Sequence, residues 1–264
     1  MPRNKSRVSL RIVSLAPNVT SILLALRAGR VLVGVSKWCK DVAPVGRRPQ
    51  VGDCWKLDLR EVMRLKPTLL IGSVPFATQT VDAILKQPVA FLALNPRTLA
   101  DIYSDVRLLA RLVSRAAGGE DIIRRMRHAF AQVANRSRNV RTRPRVYCEA
   151  WPNPRISSPP WVRELIEIAG GRMVAASGAR VTDEEIARAN PDVIVLAWAA
   201  THDRANPQTA LRNPAWKKVP AVKAGRVVVI SDELLNTPGP PLVRGVHALF
   251  RAIHRPGPSR MKNP

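Results

Sequence analysis

The chain has 264 residues, with 43 Lys and Arg against 19 Asp and Glu, giving a formal net charge of +24. Hydrophobic residues make up 46% and charged residues 23%, which fits a folded globular protein and excludes a disordered or low-complexity one. No run of about 18 apolar residues occurs, so no transmembrane helix is expected. The basic start, MPRNKSRVSL, passes almost at once into an apolar run with no h-region or cleavage site. The sequence as it stands therefore reads as cytoplasmic, and as periplasmic if the true N-terminus lies upstream.

Residues 11–29 read as a strand, an Ala16–Pro17–Asn18 loop and an apolar helix ending near Gly29. Residues 31–36 form a second strand, leading into Lys37–Trp38–Cys39 and a polar loop to Gln50. Val51–Gly52 is short, and Asp53–Cys54–Trp55 follows. Helices are expected over 58–65 and 78–86, and strands over 69–72 and 89–94. This alternation implies a parallel sheet with helices on both faces.

A long helix is expected over 99–117, with Leu99, Ile102, Val106, Leu109 and Val113 on one face and Gly118–Gly119 as its breaker. A second helix, 120–138, carries Ile123, Met126, Phe130 and Val133 on one stripe and Arg124, Arg125, Arg127 and His128 opposite. It is the natural seam between lobes. The expected divisions are an N-terminal α/β lobe at 8–118, a connecting helix at 119–143, a C-terminal α/β lobe at 144–256 and a tail at 257–264.

The second lobe repeats the opening of the first. Residues 145–150 are strand-like, 151–160 form a proline-rich loop, and a helix follows, capped by Ser157 or Ser158 and stopped by Gly170–Gly171. Thr182 and Glu185 have the spacing of a capping box. Strands are expected within 191–197 and 226–231, and a final helix at 242–254 after a Pro-rich turn at 237–241.

No catalytic constellation is visible. His128, His202, His247 and His254 are scattered, no nucleophile–base pair can be named, and no GxGxxG or phosphate loop occurs, so the chain does not read as an enzyme. Cys39, Cys54 and Cys148 lack metal-ligand spacing, so no metal site is expected and all three thiols are expected free. Four of the six tryptophans, Trp38, Trp55, Trp151 and Trp198, fall at strand ends. Ligands of parallel sheets bind at the carboxyl ends of strands, and flat indoles there suit a partly apolar ligand.

Several stretches carry a resemblance: RIVSLAPNVTSILLAL at 11–26, LVGVSKWC at 32–39, VGDCWKLDLREVMRLKPTLLIG at 51–72, VYCEAWPNPRISSPPWVRELIEIAGG at 146–171, PDVIVL at 191–196 and PAVKAGRVVVISDELLNTPGPPLVRGVHAL at 220–249. Together they resemble the class III substrate-binding proteins of ABC importers, which take cobalamin, heme or ferric siderophores, and within these the cobalamin-binding branch.

The resemblance implies an α/β fold of two Rossmann-like parallel-sheet lobes joined by a single long helix, with the ligand in a cleft between them. It places Pro17, Asn18, Trp38 and Trp55 on the first cleft wall and Trp151, Trp198 and Glu233 on the second. Permease docking would fall on Glu184 of the second lobe and, beside Arg60, on Glu61 of the first. The implied function is non-enzymatic binding of cobalamin or a related corrinoid by a monomer, with no required cofactor and with an ABC permease as partner. A heme or ferric-siderophore binder is one alternative. A basic cytoplasmic protein using its charge to bind nucleic acid or another polyanion is the other.

Overall fold

The computed structural model describes residues 9–53, 55–140 and 142–254. The chain divides into two compact units. The first comprises Met1–Pro96 and Tyr103–Ile122, and the second Arg97–Ile102 and Ile123–Pro264.

In the first unit, β1 (Ile12–Ser14), β2 (Leu32–Ser36), β3 (Gln50–Val51), β4 (Leu69–Ser73) and β5 (Ala90–Leu94) form one sheet in the order β3-β2-β1-β4-β5. Every pairing is parallel. The continuous apolar runs of β1 and β4 fit strands buried on both faces. Helix α1 (Pro17–Ala25) follows β1, with Pro17 in its first turn, where a missing N–H costs nothing. Helix α2 (Leu59–Arg64) is capped by Asp58, which accepts from the amides of Arg60 and Glu61. Helix α3 (Thr78–Leu85) lies between β4 and β5. Val13, Leu15, Val51, Val62, Leu70 and Ile84 form the core cluster.

Helix α4 (Leu99–Leu112) and helix α5 (Ala116–Arg138) correct the expected break. The chain turns at Ser114, which has a left-handed φ of 56°. Gly118 and Gly119 belong to α5. A Cβ on Gly119 would stand 2.6 Å from the Cβ of Ala110, so this glycine permits close helix packing and does not end a helix.

In the second unit, β6 (Arg145–Pro152) is central, and α5 contributes a buried stripe of Ile123, Met126, Phe130 and Val133. One edge of β6 pairs in parallel with β9 (Val193–Leu196), which pairs with β10 (Val227–Val229). The other edge pairs in parallel with β8 (Arg172–Met173) and antiparallel with β7 (Arg155–Ser157). The sheet is therefore mixed. The region expected as an irregular loop is instead a hairpin: β6 runs on to Pro152 and turns back through Asn153–Pro154 into β7.

Helix α6 (Pro160–Ile168) starts from Pro159 with no side-chain cap. The serines expected to cap it are engaged elsewhere: Ser158 Oγ donates to Cys148 Sγ at 2.9 Å, and Ser157 Oγ donates to the carbonyl of Ala176. Gly170 ends the helix with φ of 83°. Helix α7 (Asp183–Ala189) carries the expected capping box between Thr182 and Glu185. Short helices α8 (Gln208–Leu211) and α9 (Pro220–Lys223) precede β10, and α10 (Leu242–His254) packs Leu242, Val246, Leu249 and Ile253 inward. No helix among the described residues is long and apolar enough to cross a membrane.

Candidate ligand site

The strand order of the first sheet reverses direction beside β1, and the loops at its carboxyl edge leave β1, β2 and β3. Such an edge is where open α/β sheets take ligands. The loop after β1 presents Pro17 and Asn18 at the start of α1. Asn18 is 3% exposed, and its Nδ2 has no hydrogen-bond partner. The turn after β2 is anchored by a buried polar cluster. Thr20 Oγ1 donates to Ser14 Oγ at 2.8 Å and lies 3.1 Å from Cys39 Sγ, which is also 3.2 Å from Ser36 Oγ. Burial raises the Cys39 thiol above its ordinary pKa, so it behaves as a packed core group.

Asp53 organises the rest of this edge, and the sequence reading missed it. Its Oδ2 accepts from Trp38 Nε1 at 2.9 Å and pairs with Lys37 Nζ at 3.0 Å. Its Oδ1 accepts from the amides of Trp55 at 3.0 Å and Lys56 at 2.9 Å. Burial works against its charge, but the donors from Lys56, Lys37, Trp38 and Trp55 outweigh burial and hold its pKa below the usual carboxylate value. One buried acid thus fixes both tryptophan-bearing loops. Trp38 is half-buried, with Lys37 Nζ over its ring at 4.8 Å from the centroid. Trp55 stands free, with 62% exposure.

In the second unit the matching carboxyl edge lies at the ends of β6 and β9. Trp151, near the end of β6, is 42% exposed, and its Nε1 donates to the carbonyl of Asn153 at 2.9 Å. Trp198, just past β9, is not open at the edge as expected. It is 8% exposed, packs in a cluster with Tyr147, Ile194, Leu196 and Trp216, and donates from Nε1 to Glu149 Oε1 at 2.8 Å. The reason is Glu149 itself, a fully buried carboxylate that must be satisfied from all sides.

Tyr147 Oη donates to Glu149 at 2.7 Å, and Arg155 Nη1 at 3.0 Å. Arg155 also pairs with Asp183 and stacks 4.4 Å from the Trp216 centroid. Burial, followed by the charge of Glu149, pushes the Tyr147 hydroxyl far above its ordinary value. Burial opposes the charge of Arg155, yet Glu149 and Asp183 hold its pKa above normal. The signal in the sequence was a lone acid, Glu149, inside the apolar run VYCEA.

Glu233 lies in a short turn, with Ser231 Oγ donating to its Oε2. His202 Nδ1 is 3.7 Å from the same oxygen. With Asp232 these residues place ligand atoms within 4.8 Å of one another, close enough to share a cation. Asp232 already accepts from the amides of Ala200 at 3.0 Å and His202 at 2.8 Å. Burial, with the charge of Glu233, raises its pKa against those two bonds. Glu61, in the first turn of α2, and Glu184, in the first turn of α7, are both exposed. Cys148 is buried and free, its thiol pushed up to about 12 by burial. Cys54 lies outside the described residues. Arg124, Arg125 and Arg127 stand on the exposed side of α5.

A family model described as periplasmic binding protein matches residues 12–234. The chain belongs to the periplasmic binding protein family. Membership makes it a non-enzymatic binder, in line with the absence of a nucleophile–base pair from the sequence reading. An uncharacterised ABC transporter substrate-binding lipoprotein of Bacillus subtilis (strain 168), YvrC, is 26% identical over 258 residues, covering 92% of this chain and 80% of the relative. The vitamin B12-binding protein of Vibrio parahaemolyticus is 22% identical over 238 residues, covering 87% of this chain and 84% of that one. A periplasmic heme-binding protein of Pseudomonas aeruginosa shares the fold, with a TM-score of 0.80 at 22% identity and 92% of each chain covered. The two α/β units of this periplasmic binding protein are thus the two lobes of the family fold.

Proposed function

We propose that this periplasmic binding protein is the substrate-binding component of an ABC importer and that its cargo is a flat metal tetrapyrrole, either a corrinoid such as cobalamin or a heme. The observation that carries the reading is the pair of exposed indoles, Trp55 at 62% and Trp151 at 42%, each at the carboxyl edge of its own sheet. Large rings left in water at a ligand-binding edge favour a ligand with a broad apolar face. The names of the relatives, a vitamin B12 binder and a heme binder, support the same chemical class. Glu61 and Glu184, exposed on helix first turns, are the groups we assign to permease docking.

Titration with hydroxocobalamin or hemin should quench tryptophan emission with saturation. Trp55→Ala and Trp151→Ala should each weaken binding by about 1 kcal/mol or more, the scale of a lost aromatic contact with its buried area. Non-saturating quenching, equal in the parent and both variants, would remove the tetrapyrrole reading. Saturation only by a ferric siderophore would move it to that cargo.

A further inference from the structure

At the edge of the first unit, Lys37 is an exposed cation held at a fixed place. Asp53 is 6% exposed and accepts from Trp38 Nε1 and from the Trp55 and Lys56 amides, and the lysine takes the remaining acceptor site of the carboxylate. The lysine side chain is 50% exposed and spends one of its three N–H groups on Asp53 Oδ2. Its ammonium is held over the Trp38 ring, so that face of Trp38 is covered, and Trp55 is the freely exposed indole of this edge. Lys37 Nζ and the Trp55 amide bind the two oxygens of one carboxylate, so the tethered cation and the residue that carries the exposed indole belong to one Asp53-centred loop cluster. A macrocycle lying on an indole projects its side groups beyond the ring edge. A cation already fixed there loses little freedom when it meets one of them.

We propose that Lys37 reads an anionic oxygen group on the periphery of the bound ligand, a carboxylate or a phosphodiester, and so selects acid-bearing tetrapyrroles over neutral ones. The inference rests on the ligand reading given under Proposed function. Tethering by Asp53 makes Lys37 a specificity group and Asp53 its positioning residue. The ion pair as such, half in solvent, contributes little to stability.

The test compares two ligand pairs on the parent protein, Lys37→Gln and Lys37→Arg. One pair is hemin against hemin dimethyl ester, which lacks free carboxylates. The other is cobalamin against cobinamide, which lacks the nucleotide-loop phosphodiester. The parent should prefer the acid of one pair by about tenfold or more, the scale of a charge-assisted hydrogen bond. Lys37→Gln should bring that ratio close to one, and Lys37→Arg should keep most of it. The pair that responds identifies the anionic group. Ratios near one in the parent for both pairs would overturn the inference while leaving tetrapyrrole binding intact. A preference unchanged in Lys37→Gln would overturn the assignment to Lys37. Failure of all four ligands to bind would overturn the ligand reading, and this inference with it.

Discussion

Each unit builds its carboxyl edge around one buried acid, but the two acids do different things with their tryptophans. Asp53 sits in a loop and grips Trp38 by its indole N–H, leaving the ring half-buried and the neighbouring Trp55 in water. Glu149 sits inside a central strand and draws the whole of Trp198 into the core with Tyr147, Arg155 and Trp216 around it. A tryptophan at a strand end is therefore not by itself a binding group. For Trp38 and Trp198 the place of the acceptor makes the difference: Asp53 in the loop holds one ring at the surface, and Glu149 in the strand holds the other inside.

The strongest way to break this comparison is to remove Arg155. Its guanidinium serves both Glu149 and Asp183, and Glu149 has no exposed surface to fall back on. Arg155→Ala should destabilise the protein by about 3–5 kcal/mol, because it strands a buried charge. Chemical denaturation followed by far-UV circular dichroism measures this. A loss under about 1 kcal/mol would mean that the carboxylate is held by Tyr147 and Trp198 alone.

A smaller effect is expected in the first unit. Asp53→Ala removes the shared acceptor of the Trp38 indole and of the Trp55 and Lys56 amides. The edge is partly wet, so water takes over some of these donors, and the cost should be about 1–3 kcal/mol. The emission maximum of Trp38 should shift, while far-UV circular dichroism stays unchanged. An unaltered spectrum would show that Asp53 does not position that ring.

Much of this was legible in the sequence. The βαβ alternation, the capping box at Thr182 and Glu185, and the Gly170 stop follow from local spacing and local chemistry. The mistakes lie where a distant partner overrides a local signal. Gly118–Gly119 looked like a breaker, but both lie inside α5, where Gly119 leaves room for Ala110 to pack closely. Ser157 and Ser158 looked like caps, yet Ala176 and Cys148 take their hydroxyls. The prolines between 151 and 160 hid a hairpin, because β6 offers an edge that β7 can occupy. The tryptophans were conspicuous because they are rare and large, yet of the four at strand ends Trp55 and Trp151 are exposed, Trp38 is half-buried and Trp198 is in the core. Asp53 and Glu149 were not: Asp53 meets Trp38 only when the loops after β2 and β3 lie side by side, and Glu149 meets Trp198 only when β6 pairs with β9.

The smallest expected effect concerns pH, and it sharpens the contrast because two aspartates at these edges, Asp53 buried and Asp232 half-buried, are shifted in opposite directions. Asp53 has its pKa lowered on folding, so its contribution to stability is complete above the ordinary carboxylate pKa, near about 4. That contribution is lost as pH falls through the lower folded value. Asp232 has its pKa raised by burial, so its contribution runs the other way: it is complete below the ordinary value and is lost as pH rises through the raised folded value. The two slopes therefore have opposite signs and fall on either side of the ordinary carboxylate value. Asp53→Asn should remove the part of acid destabilisation below about pH 4, and Asp232→Asn should flatten the loss on the side above it. Thermal melts of the parent and both variants from acid to neutral pH check the signs. If both variants change the same limb, the two edges do not differ in how they hold their charge.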